Sequence, residues 1–333
     1  MTLAVPAPHP VPAAAGGVDG QLSPATASRL RQAIPENTRR SYDSQYAAFT
    51  TWCANAGRSP LPATGETMTE YAAHLIDAAR SPGSIEVALS AIRTAHRYAA
   101  LEPPDTRGAR LLIRDYRRAR ADTGARDRQA PPAVATAIRA MIDTCDPQSS
   151  RGRRDRALLL LGFTMMGRRS ELSRLDIGDI TATGKGLTVR VSRSKTDQAA
   201  RGRETPILAS QVDGDDGCPV AAVTAWIGYL AEQGITAGPL FRPVDRWGHV
   251  GTARLGGQAI GRIVKDLAID AGQNPAMSAH SLRSGGATSA AEAGASRAAL
   301  AAQGRWNPAS PSLDRYVRLQ DEWKHNAMRG VAI

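Results

Sequence analysis

The sequence predicts a mainly α-helical protein of two domains that contains one small antiparallel β-sheet. Its 333 residues are enough for two domains that each bury a core. Apolar residues recur at helical spacing through most of the chain, and the one clear region of strict apolar and polar alternation is residues 187–191. The composition, with 42% hydrophobic and 22% charged residues, is ordinary for a soluble globular protein.

The first half of the chain predicts a short tail followed by a helical bundle. Residues 1–25 are rich in alanine, proline and glycine, and we expect them to be disordered. Residues 26–129 predict a bundle of four or five helices, with apolar side chains at helical spacing. Its clearest helices begin near Thr38, Glu66, Ser84 and Arg107. Pro131 and Pro132 then mark a linker to the second domain.

The second domain, residues 130–333, predicts helices around one β region. A strand over 187–191 follows a Thr-Gly-Lys-Gly turn, and residues 204–208 are its predicted partner. The predicted helices are 133–145, 153–166, 219–232, 256–271, 281–293, 296–303 and 310–319. The apolar stretch 157–167 is too short to span a bilayer.

The charge of the chain favours a polyanionic partner. There are 42 basic and 31 acidic residues, so the formal net charge is +11. A generically basic protein with solvated charges is the alternative. Residues 107–128 include eight arginines and only three aspartates. Four of these arginines are predicted to contact DNA phosphates: Arg114, Arg117, Arg118 and Arg120. A solvated helix face would give the same run of charges.

The cysteines and the N-terminus indicate where the protein works. Cys53, Cys145 and Cys218 are far apart and lack the spacing of a zinc site or a disulfide framework. The N-terminus lacks the charged and apolar regions of a secretory signal. We therefore expect a cytoplasmic protein whose cysteines are free thiols and form no zinc site; that no metal and no cofactor is used is implied only by the family resemblance given below.

Two motifs in the middle of the chain carry candidate catalytic residues. Arg168 is followed three residues later by Glu171, and an arginine fork can hold two phosphate oxygens. An ion pair at a helix start would look the same. Lys195 follows the predicted strand, and an ammonium at a hairpin tip can reach a leaving oxygen. The chain has only four lysines, which favours a functional role for a lysine at this position. An exposed turn lysine is the alternative.

Three further motifs lie near the C-terminus. His280 and Arg283 are spaced i,i+3 on one predicted helix face, and small residues follow them. Trp306 carries one indole donor that can bond a phosphate oxygen, although it can equally be a buried structural residue. Tyr316, ten residues later, is a candidate nucleophile.

Taken in order, these motifs resemble the tyrosine recombinase (phage integrase) family over about residues 30–333. The resemblance implies that Tyr316 attacks a DNA phosphate and forms a 3′-phosphotyrosine. It implies that Arg168 and Arg283, with Trp306, stabilise the transition state, and that Glu171 holds the geometry. Lys195 would protonate the leaving 5′ hydroxyl and His280 would assist proton transfer.

The resemblance also implies an assembly. Two domains, a core-binding (SAM-like) domain and a catalytic domain, would form a C-shaped clamp on duplex DNA, and four protomers would join two duplexes, with accessory proteins as further partners. We expect a simple Cre- or Xer-like layout without an arm-binding domain, and nucleoid association when active. The apolar tail of residues 319–333 would dock on a neighbouring protomer or fold back on its own domain.

Three other functions fit the same residues. A type IB topoisomerase uses similar chemistry to relax supercoils, and a telomere resolvase makes hairpin ends but is larger. A sequence-specific DNA-binding protein of this fold that has lost catalysis is the third alternative, although every catalytic motif is filled.

Overall fold

The computed structural model describes residues 34–124, 130–192, 202–210 and 217–309, and the single residues 23, 25, 26, 29 and 313. The chain divides into two compact units, residues 1–128 and 129–333, and each has its own apolar core. None of the described helices is long and apolar enough to cross a membrane. The predicted N-terminal tail, apart from residues 23 and 25, the helix over 310–319, apart from residue 313, and the C-terminal tail lie outside the described residues.

Unit 1 is a helical bundle whose apolar stripes were predicted from the sequence. Its helices are α1 (Glu36–Asn55), α2 (Gly65–Asp77), α3 (Pro82–Tyr98) and α4 (Arg107–Asp122). Phe49 of α1, Tyr71 of α2 and Ile92 of α3 are buried in one core. Because Thr64 and Ser81 accept hydrogen bonds from the amides at the starts of α2 and α3, both helices begin where the sequence provides a capping hydroxyl.

Unit 2 packs helices around a small antiparallel sheet, which confirms the predicted fold class. Its helices are α5 (Ala135–Asp143), α6 (Ser150–Thr164), α7 (Arg169–Arg174), α8 (Pro219–Glu232), α9 (Gly257–Asp270), α10 (Ala279–Glu292) and α11 (Arg297–Gly304). A 3-10 turn covers Ile177–Asp179. Helix α6 is the centre of the core, since Leu158, Leu159, Leu160 and Leu161 are all buried.

The sheet contains one more strand than the sequence predicts. Strands β1 (Ile180–Thr183), β2 (Gly186–Val191) and β3 (Arg203–Leu208) pair in the order β1-β2-β3, all antiparallel. The alternation of β2 arises because Leu187, Val189 and Val191 face the core. Strand β1 was missed because it is a mostly exposed edge strand of four residues with no buried face to create a pattern.

Helix α10 approaches the start of unit 2 closely because it carries a glycine at the contact. The Ala133 amide donates to the Ser281 carbonyl oxygen over 3.0 Å. A Cβ at Gly285 would collide with the backbone carbonyl of Ala133. The glycine therefore sets how deeply α10 can sit.

Gly285→Ala should lower the free energy of unfolding by about 1–3 kcal/mol, because backbone must move to admit the methyl group. Gly261→Ala is the matched control: it lies inside α9, and a Cβ there would meet nothing within 4 Å. The control should be neutral or should stabilise by up to about 1 kcal/mol, since alanine is the better helix former. Urea denaturation of both variants checks this, and equal midpoints would contradict the packing argument.

Candidate active site

Arg168 is held at the start of α7 by the carboxylate that follows it. The chain leaves α6 through Met166, which adopts a left-handed conformation with φ of 47°. The Arg168 amide then donates to Glu171 Oε2 over 2.9 Å, and its Nη1 donates to Glu171 Oε1 over 2.6 Å. The Arg168 side chain is 18% exposed, whereas neighbouring Arg169 is exposed to solvent. The two hydrogen bonds to Glu171 thus hold Arg168 and its guanidinium at the start of α7.

Glu171 is a buried carboxylate between two guanidinium groups. Its side chain is 1% exposed, and its Oε2 accepts a hydrogen bond from Arg305 Nη2 over 2.7 Å. Burial raises the pKa of Glu171, but the charge of Arg305, the Arg168 amide and the charge of Arg168 outweigh it, so the pKa lies below its ordinary value. Glu171 is therefore an anion that fixes two cations.

Arg305 was not predicted to belong to the site, yet it is buried at its centre. It ends α11 in a left-handed conformation with φ of 56°, where glycine is the usual residue. Its Nη1 donates to Thr205 Oγ1 of β3 over 2.9 Å and to the Gln303 carbonyl over 3.0 Å. These bonds, with the pair to Glu171, join α11, β3 and α7.

Arg283 is buried against an aromatic ring. Its guanidinium carbon lies 3.8 Å from the centroid of the Trp306 ring, and its Nη1 donates to the carbonyl of Met166. The Arg283 residue is 3% exposed and Trp306 is 8% exposed. The sequence predicts both residues for the site, and the structure places them in contact.

His280 lies one turn before Arg283 on α10 but remains exposed. Partial loss of hydration, together with the positive charges of Arg283 and Arg168, lowers the pKa of His280 below its ordinary value. On α10 the Arg283 side chain is therefore buried, whereas His280 stays at the surface within the influence of Arg283 and Arg168. A neutral imidazole near pH 7 can accept a proton.

Lys195 and Tyr316 lie outside the described residues, but the strands on either side of Lys195 and the single residue Leu313 before Tyr316 are described. Val191 of β2 pairs with Arg203 of β3, so Lys195 belongs to the connection of this hairpin. Leu313, three residues before Tyr316, is buried in the same apolar cluster as Met166 and Trp306. Lys195 thus precedes β3, whose Thr205 contacts Arg305, and Tyr316 follows Leu313, which packs with Met166 and Trp306.

The arginines predicted to bind DNA lie on α4 of unit 1. Arg114 and Arg118 are exposed, whereas Arg117 Nη2 is 3.3 Å from Glu86 Oε1. The guanidinium of Arg120 lies 5.6 Å from the Tyr116 ring centroid. Two of the four arginines thus contact other side chains of unit 1, whereas Arg114 and Arg118 are exposed to solvent.

The unit 2 cluster (Arg168, Glu171, His280, Arg283, Arg305 and Trp306) has the chemistry of an anion site. Among the described residues it contains three arginines and one carboxylate, so its net charge is positive even when His280 is neutral. Arginines remain charged at any physiological pH and present planar donors. Buried cations held before a ligand arrives can stabilise negative charge that develops on phosphorus oxygens without reorganising.

Comparison with known proteins points to one family. The model of the "Phage integrase family" matches residues 135–322. An integrase/recombinase XerD homolog of Selenomonas ruminantium is 30% identical over 311 residues, which are 92% of this chain and 89% of the relative. A tyrosine recombinase of Synechocystis sp. is 26% identical over 278 residues, 79% of this chain and 80% of the relative.

Solved structures share the fold at low sequence identity. The Tn1549 transposon integrase in complex with transposon right end DNA has a TM-score of 0.59 at 16% identity, over 92% of this chain and 98% of that one. A λ integrase dimer bound to a core site has a TM-score of 0.55 at 15% identity, over 88% and 94%. At these identities the likeness establishes the fold alone.

Proposed function

Because this chain belongs to the phage integrase family, we propose that it is a site-specific DNA recombinase that cleaves and rejoins strands through a 3′-phosphotyrosine intermediate. Integration, excision or resolution of a mobile element or replicon is the biological outcome. The observation that supports the proposal most is the buried Arg283 stacked on Trp306, in the unit that also buries Glu171 between Arg168 and Arg305. Such an array suits a phosphodiester that gains negative charge.

In the proposed cleavage step the phenolic oxygen of Tyr316 attacks phosphorus. The bond from phosphorus to the 5′ oxygen breaks, and Lys195 gives the leaving oxygen a proton. His280 accepts the phenolic proton, which its lowered pKa permits near neutral pH. A 5′ hydroxyl from a partner strand then reverses the step.

Each arginine has a separate part in this step. Arg168 and Arg283 hold the two non-bridging oxygens, with the Trp306 indole nearby. Glu171 and Arg305 do not touch the phosphate in this proposal; they orient Arg168 and the end of α11. Because fixed cations supply the charge and the phosphodiester energy is conserved, the proposed reaction uses neither a metal nor a nucleotide.

The partners follow from the same proposal. Duplex DNA carrying a recombination site is the proposed substrate; the λ integrase structure is bound to a core site and the Tn1549 integrase structure to transposon right end DNA. Strand exchange between two duplexes calls for four protomers on DNA, and accessory proteins can set its direction. Unit 1 would contribute phosphate contacts through Arg114 and Arg118, which are exposed on α4.

Tyr316→Phe should abolish a covalent protein–DNA adduct that the wild type forms. The substrate is a candidate recombination site with a nick just 3′ of the scissile phosphate, so the short cleaved piece diffuses away. Adducts are counted on denaturing gels. Tyr229→Phe is the matched control, because Tyr229 is a half-buried tyrosine of α8 and should leave adduct formation intact.

Other outcomes of this experiment select the alternatives. Tight, specific binding without any adduct would favour a non-catalytic DNA-binding protein of this fold. Adducts on unrelated DNA, with relaxation of supercoils and no recombinant product, would favour the type IB topoisomerase chemistry.

A further inference from the structure

Unit 1 contains a polar cavity that is distinct from the run of arginines on α4. Its volume is about 200 Å³, and it lies between α1, α3 and the start of α4. Three arginines line it, with hydroxyl groups around them: Arg93, Arg97, Arg110, Tyr42, Ser90 and Thr106. Its walls therefore present mainly hydrogen-bond donors, which is the chemistry of an anion site.

The charges around the cavity do not cancel. Glu86 also lines it, but the carboxylate of Glu86 is paired with Arg117 at 3.3 Å. Within the described part of unit 1, Arg93, Arg97 and Arg110 have no ion pair or hydrogen bond to a carboxylate. Three arginines thus line one cavity without a direct carboxylate partner among the described residues of unit 1, and Glu86 is the one acidic residue in the lining.

One buried donor at the cavity has no partner. The Nε atom of Arg93 is buried, and none of the described residues accepts a hydrogen bond from it. A buried N–H without an acceptor is costly, so an acceptor brought by a ligand or a water would stabilise Arg93. The Thr106 side chain is also buried and makes no capping bond at the start of α4, although it occupies the capping position.

The start of α4 adds to the same field. Thr106 is the N-cap of this 16-residue helix, whose first amides carry partial positive charge. The Arg107 amide already donates to Asp105 Oδ1 over 2.9 Å, so an anion in the cavity would meet the guanidinium groups and hydroxyls, with only the remaining part of the helix field. A tetrahedral phosphate group matches this set because it offers acceptors in several directions.

We propose that this cavity binds a phosphate group, and that the DNA backbone supplies it when unit 1 sits on a duplex. The assignment of the backbone as the source rests on the proposed function, whereas the phosphate chemistry rests on the cavity itself. Arg93, Arg97 and Arg110 then form the phosphate socket, in which Arg93 is half-buried and Arg97 and Arg110 are exposed.

The first arm of the test measures DNA binding by full-length protein over a range of salt concentrations. The double variant Arg97→Gln/Arg110→Gln should reduce the slope of log affinity against log salt by about 0.9 and weaken binding roughly tenfold. Arg93→Gln should do the same. Arg40→Gln/Arg80→Gln removes the same charge from exposed residues of unit 1 that do not line the cavity, and it should leave the slope nearly unchanged.

The second arm uses inorganic phosphate without DNA. Phosphate, compared with chloride at constant ionic strength, should raise the thermal midpoint of the wild type and of the control but not of the cavity variants. Stabilisation by phosphate without a change in DNA slope would support the socket and assign it to a free phosphate.

The inference would be overturned if the cavity variants matched the control in both arms. Equal thermal midpoints of all variants in chloride exclude unfolding as the cause of any difference. Because neither arm requires cleavage, loss of the covalent adduct in the Tyr316 experiment would not affect this result, and the two proposals fail separately.

Discussion

Replacing Arg283 with lysine should lower the rate of covalent adduct formation by about 10²- to 10³-fold while DNA binding changes little. Lysine keeps the positive charge but loses the planar fork. It cannot at once donate to the Met166 carbonyl, stack on Trp306 and reach a phosphate oxygen. The expected loss is therefore in the chemical step and not in affinity.

Single-turnover kinetics on the nicked substrate, at saturating protein, measure this rate. Arg169→Lys is the control, since Arg169 is exposed beside Arg168 and should cleave like the wild type. Equal rates for the two variants would show that the fork of Arg283 is dispensable. Weakened DNA binding with an unchanged rate would also contradict its proposed place in the transition state.

Glu171→Ala should destabilise unit 2 by about 3–5 kcal/mol, because the buried cation of Arg305 would lose its counter-charge. Glu171→Gln should cost less, since an amide can still accept hydrogen bonds. Adding Arg305→Met to Glu171→Gln should recover part of the stability, because two buried polar groups are then replaced together. The recovered protein should still cleave slowly, since Arg168 has lost its anchor.

Denaturant unfolding of the single and double variants tests this pairing. Glu204→Ala is the control: Glu204 is exposed on β3 beside Thr205, and its removal should change stability by no more than about 0.5 kcal/mol. If Glu171→Ala were as mild as this control, the buried ion pair would not hold the site together.

The same carboxylate makes stability depend on pH. The folded pKa of Glu171 lies below its ordinary value of 4.5, so its contribution is fully present above that value. It is lost as the pH falls through the lowered folded pKa. The wild type should therefore lose stability faster than Glu171→Gln below about pH 4.5.

Much of the fold follows from local patterns that the sequence displays. The stripes of α1 to α3 and the alternation of β2 each reflect one buried face, so they were predictable. Helix α7 was not predicted as an element because six residues hold too little periodicity. Strand β1 was missed because neither of its faces is buried.

The candidate site was predictable only where its residues occur in recognisable motifs. Arg168, Glu171, Arg283 and Trp306 stand in such motifs, and the described structure brings them together. Arg305 does not, because one buried arginine looks like the many solvated ones in an arginine-rich chain. Its partner Glu171 is 134 residues away, so no local signal marks the pair.

The separation of Glu171 and Arg305 has a consequence for protein synthesis. Because the partners are separated by 134 positions and Arg305 is residue 305 of 333, the ion pair cannot form until most of the chain has been synthesised. Unit 1, with its short-range helix contacts, can fold while the rest is still being made. A chain that stops before Arg305 therefore lacks the buried ion pair and the hydrogen bonds that join α11, β3 and α7.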